Sequence, residues 1–133
     1  MATKTEGRHA GEFLISEMPG GGPGGGLSRE AKTVAKGQNL VAGEIIMLSG
    51  GKIVAHDGLL DTAGDVVTPV EGILWDKIDA SSTGEDADVL NQAYIERLAE
   101  VADGDLTFPT ESTAGGEKAA VTASLLLRNI KIR

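Results

Sequence analysis

Apolar residues occur in short runs that glycine-containing turns and polar loops separate, a pattern that predicts several short strands. The run Leu40–Leu48 is followed by a turn at Ser49–Gly51 and by Lys52–His56, an order that predicts a β-hairpin. A further strand is predicted over Val70–Ile78, and the polar stretch Asp79–Asp88 is predicted to be a loop.

The next segment fits two kinds of structure. Leu90, Tyr94, Leu98 and Val101 follow one another at positions i, i+4, i+8 and i+11, which places them on one face of a helix. Tyr94, Glu96, Leu98 and Glu100, with their neighbours, also fit two short alternating strands. Periodicity alone favours the helix.

The rest of the chain gives clearer signals. Leu106–Pro109 is predicted to be a short strand that proline ends. Glu117–Leu127 is rich in good helix formers, and Ser112 or Thr113 is predicted to cap that helix. Ile130–Arg133 alternates as an edge strand would.

The N-terminal region differs in composition from the remainder. Gly20–Gly26 reads GGGPGGG, which is too flexible to be ordered within a folded unit and is interpreted as a tether. Before it lies Gly11–Met18, where apolar Phe13 and Ile15 alternate with their neighbours as in a strand. Because the folded part is predicted to begin near Thr33, this strand-like segment lies outside the predicted core. A disordered tail with a chance apolar cluster is the alternative interpretation.

Composition limits the size of the core. The chain has 133 residues, enough for one domain and a tail, and aromatic residues make up only 3% of it. The core is therefore expected to be small and aliphatic, and oligomerisation is a reasonable way to add buried surface. The single tryptophan, Trp75, is either a core residue or a possible interface anchor.

Charge and residue usage exclude several classes of function. The formal net charge of −8 argues against a nucleic-acid partner and against an anionic membrane surface, since both need a basic footprint. The absence of cysteine excludes disulfides and thiolate metal sites. No apolar run reaches the length of a membrane span, and no secretion signal is recognised, so we expect a soluble protein that is not secreted.

No catalytic residue, metal or cofactor is predicted. The glycine run lacks the Gly-Lys-Ser/Thr sequence of a phosphate loop. A calcium loop starting at Asp86 fails, because Asn91 and Arg97 replace its required glycine and its final carboxylate. His56 is expected to be a surface or turn histidine, and nothing orients His9 in the predicted tail.

Five segments of the chain, taken in order, resemble a known family. They are HAGEFLISE at His9–Glu17, SREAKTVAKGQNLVAGEII at Ser28–Ile46, KIVAHD at Lys52–Asp57, EGILWDKIDA at Glu71–Ala80 and LTFP at Leu106–Pro109. This ordered set resembles the head decoration protein family of tailed bacteriophages, the lambda protein D type, over about His9–Arg133. The glycine run and the acidic loop around Ser81–Asp88 depart from the family pattern.

The resemblance implies a fold that is mainly β with short helices (α+β), and strands in place of the helix at residues 89–101. It divides the chain into a flexible N-terminal capsid-binding arm at residues 1–29 and a single β-rich decoration domain at residues 30–133. The arm would add a strand to the major capsid protein. Its expected contact residues are Gly11, Glu12, Phe13, Leu14, Ile15, Ser16 and Glu17.

The implied function is that of a structural protein and not of an enzyme. A homotrimer would bind the outer surface of the expanded head, stabilise it against the pressure of the packaged DNA, and reside in the host cytoplasm during assembly. The alternative is a small ligand- or carbohydrate-binding module, or an enzyme, with a disordered leader. A ligand-induced thermal shift would favour this alternative, whereas sedimentation with capsids would favour the decoration protein.

Overall fold

The computed structural model describes residues 9–17 and 28–133, and within these ranges the fold is mainly β with one short α-helix, as the family resemblance implies. The tether at Gly20–Gly26 lies outside the described residues. The strands are β1 (Leu14–Glu17), β2 (Arg29–Val34), β3 (Asn39–Leu40), β4 (Ile45–Ser49), β5 (Lys52–Ala55), β6 (Gly72–Leu74), β7 (Ile78–Asp79), β8 (Val89–Ile95), β9 (Ala99–Val101) and β10 (Ile130–Ile132). The helices are a 3-10 helix at Asp103–Asp105 and α1 (Glu117–Leu127).

Five strands form a closed barrel in the order β2-β5-β4-β6-β8. β2 pairs antiparallel with β8 from Arg29 opposite Ile95 onwards, and it closes the barrel through a parallel contact between Val34 and Ile53. Gly72 is required where β6 approaches β8, because a Cβ atom there would lie 2.1 Å from the Ile95 carbonyl oxygen. A cluster of buried side chains follows these strands: Val34, Leu40, Ile46, Ile53, Leu74, Ala80 and Tyr94.

A separate three-stranded sheet, β1-β9-β10, lies beside the barrel. β1 runs antiparallel to β9, and β10 runs parallel to it. The sheet, α1 and the other face of β4, β6 and β8 share a second cluster of buried side chains: Phe13, Ile45, Val70, Ile73, Ile95, Ala99, Val101, Leu106, Val121, Leu125 and Ile130. Three barrel strands therefore have apolar residues on both faces, which explains why the sequences of β4 and β6 are apolar runs and do not alternate.

The predicted hairpin is confirmed. β4 and β5 pair from Ile46 opposite Ala55 to Ser49 opposite Lys52, with Gly50 as the first residue of the two-residue turn. Gly50 and the glycine after it have φ angles of +58° and +80°, as such hairpin turns require.

The strands predicted at residues 70–78 and 106–109 are shorter than expected. The first contains only β6 and the beginning of β7, which pairs with β3 in a two-stranded sheet. The second contributes a single parallel bridge between Thr107 and Glu44. The predicted loop is confirmed from Ala80 onwards, and the Asp79 carboxylate organises its start by accepting hydrogen bonds from the Ser81 amide (3.0 Å) and the Thr83 hydroxyl (2.9 Å).

The helix that periodicity favoured near residues 90–101 is wrong, and the strands implied by the family are correct. β8 lies along β2 over most of its length, and β9 is the central strand of the three-stranded sheet. Asn91 and Leu98 have φ angles of +55° and +54°, a left-handed conformation that interrupts a right-handed helix. Pairing with distant strands thus outweighs the local pattern.

The predicted helix at Glu117–Leu127 is confirmed, but its predicted cap is wrong. The residue before the helix is Gly116, which makes no side-chain capping bond. The Glu111 carboxylate instead accepts hydrogen bonds from the amides of Glu117 (3.3 Å) and Lys118 (2.9 Å). A negative charge at this position also matches the positive end of the helix dipole. The predicted edge strand is confirmed as β10.

Candidate functional site

The segment His9–Glu17 folds against the domain and does not stand apart from it. A turn comes first, in which the Leu14 amide donates to the Gly11 carbonyl (3.0 Å), and β1 follows. The Ala102 amide donates to the Phe13 carbonyl (2.8 Å), which joins the residue before β1 to the residue after β9. The strand character predicted for this segment is confirmed for β1.

The Trp75 side chain is the surface on which this turn rests. The Phe13 ring meets the Trp75 ring edge to face, with centroids 6.0 Å apart and planes at 75°. The Arg29 guanidinium lies over the indole, 4.0 Å from the ring centroid, a distance typical of a cation–π contact. Trp75 therefore joins the N-terminal segment to the first barrel strand, and it remains partly exposed.

Gly11 cannot be replaced by a larger residue without moving this contact. Its amide donates to the Trp75 carbonyl at 2.8 Å, and its φ angle is +67°. A Cβ atom at this position would lie 2.3 Å from the Trp75 ring, closer than real Cβ atoms approach. The glycine thus permits both the turn and the close approach of backbone to indole.

Phe13 and Ile15 are not equivalent, although their alternation in the sequence suggested that they were. Phe13 is 1% exposed and belongs to the core, so the expectation that it lies outside the core is wrong. It lies in the turn, before the strand begins, and its orientation therefore does not follow the alternation of β1. Leu14 packs partly against the core, whereas Ile15 is 51% exposed.

The outer edge of β1 is open within the described part of the chain. β9 lies on one side of β1, and no described strand pairs with the other side. Glu12 and Ser16 are exposed, and Glu17 pairs through its backbone register with Ala99. An unpaired strand edge with an exposed isoleucine is suited to receiving another strand.

Sequence reasoning found Gly11, Phe13 and Trp75 but missed the residues that bring them together. Arg29 and the residues of β9 complete the contact, and β9 is distant from β1 in the sequence. The sequence signal for β9 was that Leu98–Val101 lies next to a turn, as the end of a strand does. The helical interpretation concealed this signal.

His56 was predicted to be a surface or turn histidine, and because it is buried the surface alternative is wrong. Its Nε2 lies 2.8 Å from the Thr68 carbonyl oxygen, and its Nδ1 accepts a hydrogen bond from the Gly58 amide at 3.0 Å. Both ring nitrogens therefore hold the loop after β5. This arrangement gives His56 a structural role.

A second polar cluster surrounds Glu71. Its carboxylate accepts a hydrogen bond from the Tyr94 hydroxyl at 2.7 Å, and it lies 3.4 Å from both Lys32 Nζ and Arg128 Nη2. Burial, followed by the hydrogen bond and charge of Glu71, raises the pKa of Tyr94. The cluster connects barrel strands to the residue that follows α1, so its role is to hold two parts of the fold together.

Two other kinds of site are not found in the described ranges. Residues 9–17 and 28–133 contain no group of three His, Asp or Glu side chains placed to hold a metal ion. None of the helices in these ranges is long and apolar enough to cross a membrane.

The docked N-terminal strand, with one edge unpaired among the described strands, is the candidate surface for contact with another protein. The model of the family "Bacteriophage lambda head decoration protein D" matches residues 3–130, and the chain belongs to this family. It is therefore a bacteriophage head decoration protein, associated with the outer surface of the capsid, from a structural family and not from a class of enzymes. A search of curated proteins finds no match.

Proposed function

We propose that this protein binds the outer surface of the expanded phage head as a homotrimer and stabilises the head against the pressure of the packaged DNA. Residues 1–29 are the capsid-binding arm in this proposal, residues 30–133 are the decoration domain, and the protein waits in the host cytoplasm during assembly. The observation that carries the proposal is the open edge of β1 in a member of the head decoration family.

The arm is expected to act as a bridging strand. β1 is already paired with β9, so a strand of the major capsid protein would add on the opposite side. The resulting sheet would have the order capsid strand, β1, β9, β10. Main-chain hydrogen bonds would supply affinity, and the exposed Ile15 side chain would enter an apolar groove on the capsid.

Docking of the arm lowers the cost of binding. Ordering a free segment costs about 1–2 kcal/mol for each residue, which would consume most of the gain from one short strand. Gly11 and Phe13 already fix the start of β1 on the domain, so this cost falls on folding and not on capsid binding. Preorganisation of this kind raises affinity without adding contacts.

A trimer multiplies the effect of a short strand. After one arm binds, the other two bind as intramolecular events, and avidity can raise occupancy by about 10² to 10⁴. Three linked contacts across neighbouring capsid subunits would raise the cost of separating them. The net charge of −8 fits this role, because a protein on the outer surface gains nothing from affinity for the genome.

The test replaces the exposed isoleucine of the arm. Ile15→Glu should leave the fold intact and weaken co-sedimentation with expanded, undecorated heads, since it removes a side chain worth about 1.5–3 kcal/mol on burial. That loss corresponds to a tenfold to hundredfold weaker contact for each arm, which a titration of heads measures.

Leu90→Glu is the matched control, because Leu90 is also an exposed aliphatic residue, at 66%, but lies on the barrel strand β8. Circular-dichroism melts should be the same for both variants. Equal binding of the two variants would contradict the role of the arm. Density for a monomer or a dimer at the capsid sites, seen by cryo-electron microscopy, would contradict the trimer.

A further inference from the structure

The outer face of α1 is apolar and has no partner within the described residues. Leu127 is 87% exposed and Leu126 is 59% exposed, and they are the two last residues of the helix. Ala119 and Ala123 are exposed as well. At about 100° per residue, these four positions fall within one arc of about 100°. We call them the outer stripe: Ala119, Ala123, Leu126 and Leu127.

The opposite face of the same helix is already buried in the core. Val121 and Leu125 are 0% exposed and belong to the cluster shared with the three-stranded sheet. A surface helix normally has a polar face opposite its apolar one, whereas a helix that is apolar on both faces is covered on both. The outer stripe therefore has the composition of an interface.

A groove borders the outer stripe on one side. It has a volume of about 370 Å³ and lies between α1, at Ala123 and Leu127, and the loop that contains Val66 and Pro69. The Ser124 hydroxyl accepts a hydrogen bond from the Val70 amide at 3.0 Å, which holds this loop against the helix. Leu126 points to the side of the stripe away from the groove, so the surface carries a projecting side chain on one side and a hollow on the other.

The distribution of charge indicates which partner the outer stripe can contact. The chain has a net charge of −8, so most approaches of one copy to another bring like charges together. The outer stripe has no charge. The nearest helix cation, Lys118, lies 3.0 Å from Asp103 of the same chain, and Arg128 lies 3.4 Å from Glu71. The charged residue that lines the groove is the exposed Asp65.

We propose that the outer stripe and its groove form the contact between copies of this chain around a threefold axis, with Leu126 of one copy entering the groove of the next. The inference rests on the proposed trimer and adds the surface that forms it. Cyclic symmetry brings two different sides of a patch together, as a projecting side chain and a hollow require. The apolar stripe allows this contact without repulsion between identical subunits.

The first experiment changes the charge of the stripe. Leu127→Glu in the full-length protein should shift the concentration of half-assembly, measured by analytical ultracentrifugation, at least tenfold upwards, while Leu90→Glu should leave it unchanged. Both residues are exposed, so circular dichroism should show wild-type folding for both variants. An unchanged half-assembly concentration for Leu127→Glu would overturn the proposal.

The second experiment applies whether or not the free protein assembles. Since the chain contains no cysteine, Ala123→Cys introduces a unique thiol, and Ser82→Cys in the exposed loop is its control. A short bismaleimide should give covalent dimers of Ala123→Cys, free at high concentration or bound to expanded heads, and few or none of Ser82→Cys. Absence of dimers in both settings would overturn the proposal.

The experiments give different results if the proposed function fails and if the contact at α1 fails. If the wild-type protein does not co-sediment with heads, the decoration role fails, but cross-linking of the free protein still decides whether copies meet at α1. If Leu127→Glu loses head binding while Ala123→Cys gives no dimer either free or bound to heads, the stripe contacts the capsid and not a second copy.

Discussion

The barrel and the three-stranded sheet differ in how the edges of their strands are paired. Each barrel strand has a neighbour on both sides, so the barrel leaves no free edge. In the sheet, β9 has two neighbours among the described strands, while β1 and β10 have one each. In the proposed function, the closed barrel therefore supports the domain, and the open edge of the sheet is where another strand would add.

The two regions are nevertheless joined by one core. Ile45, Ile73 and Ile95 come from barrel strands, and they pack in the same cluster as Phe13 and Ile130 of the sheet region. A change that loosens the sheet should therefore lower the stability of the whole domain. A change at its open edge should affect only binding.

The largest expected effect is on the free energy of unfolding, and it distinguishes a core residue, Phe13, from an edge residue, Ile15, two positions away. Phe13→Ala should lower the free energy of unfolding by about 3–5 kcal/mol, because it removes a buried aromatic ring and leaves a cavity. Ile15→Ala should change it by less than about 0.5 kcal/mol, since that side chain is half exposed. Urea denaturation measures both values, and equal losses would mean that the arm is not docked on the domain.

The next comparison is the loss of stability caused by alanine at one glycine beside the sheet and at one glycine in the barrel. Gly11 and Gly50 have similar φ angles, +67° and +58°, but a Cβ atom at Gly11 meets Trp75 whereas one at Gly50 meets nothing within 4 Å. Alanine should carry the same backbone strain at both positions. Gly11→Ala should therefore be the more destabilising, by a further 1–3 kcal/mol, about the cost of an overpacked contact. Thermal denaturation of both variants tests this, and equal melting temperatures would contradict the close contact.

The smallest expected effect is the loss of folding stability at low pH. The pKa of Glu117 is lowered from 4.5 to about 2, chiefly by a hydrogen bond from the Ser112 side chain. Because its folded-state pKa is the lower one, Glu117 contributes stability above pH 4.5 that is lost as the pH falls towards 2. The hydrogen bond from Lys52 likewise lowers the pKa of Asp88, beside the barrel. Both regions should thus weaken in acid.

Urea denaturation at several pH values between 6 and 2.5 measures this effect. Glu117→Gln should make stability less dependent on pH between 4.5 and 2.5, and Asp88→Asn should do the same on the barrel side. A variant with the pH dependence of the wild type would show that its carboxylate has an ordinary pKa in the folded protein.

Local features of the sequence were enough to predict the elements whose structure depends on neighbouring residues. The hairpin of β4 and β5 needs only two apolar runs and a Gly-Gly turn, and α1 needs only a run of good helix formers. Both were predicted from the residues. The cap of α1 was not, because Glu111 reaches forward across the intervening loop to the helix amides.

Elements that depend on distant partners could not be predicted from the residues alone. β9 is three residues long, and its strand conformation is held by β1 and β10 from far along the chain. The burial of Phe13 depends on the same sheet and on Trp75. The strand-like segment and its open edge were within reach of pattern reasoning, but the docking that makes Phe13 and Ile15 different was not.

The position of Trp75 gives the protein an internal optical reporter. The chain has one tryptophan and one tyrosine, so ultraviolet emission excited at long wavelength comes from a single indole. That indole is covered by Gly11 and Phe13 on the arm and by the Arg29 cation. Its emission wavelength and its quenching by solutes therefore register whether the arm is seated, without a label and separately from the far-ultraviolet signal of the barrel.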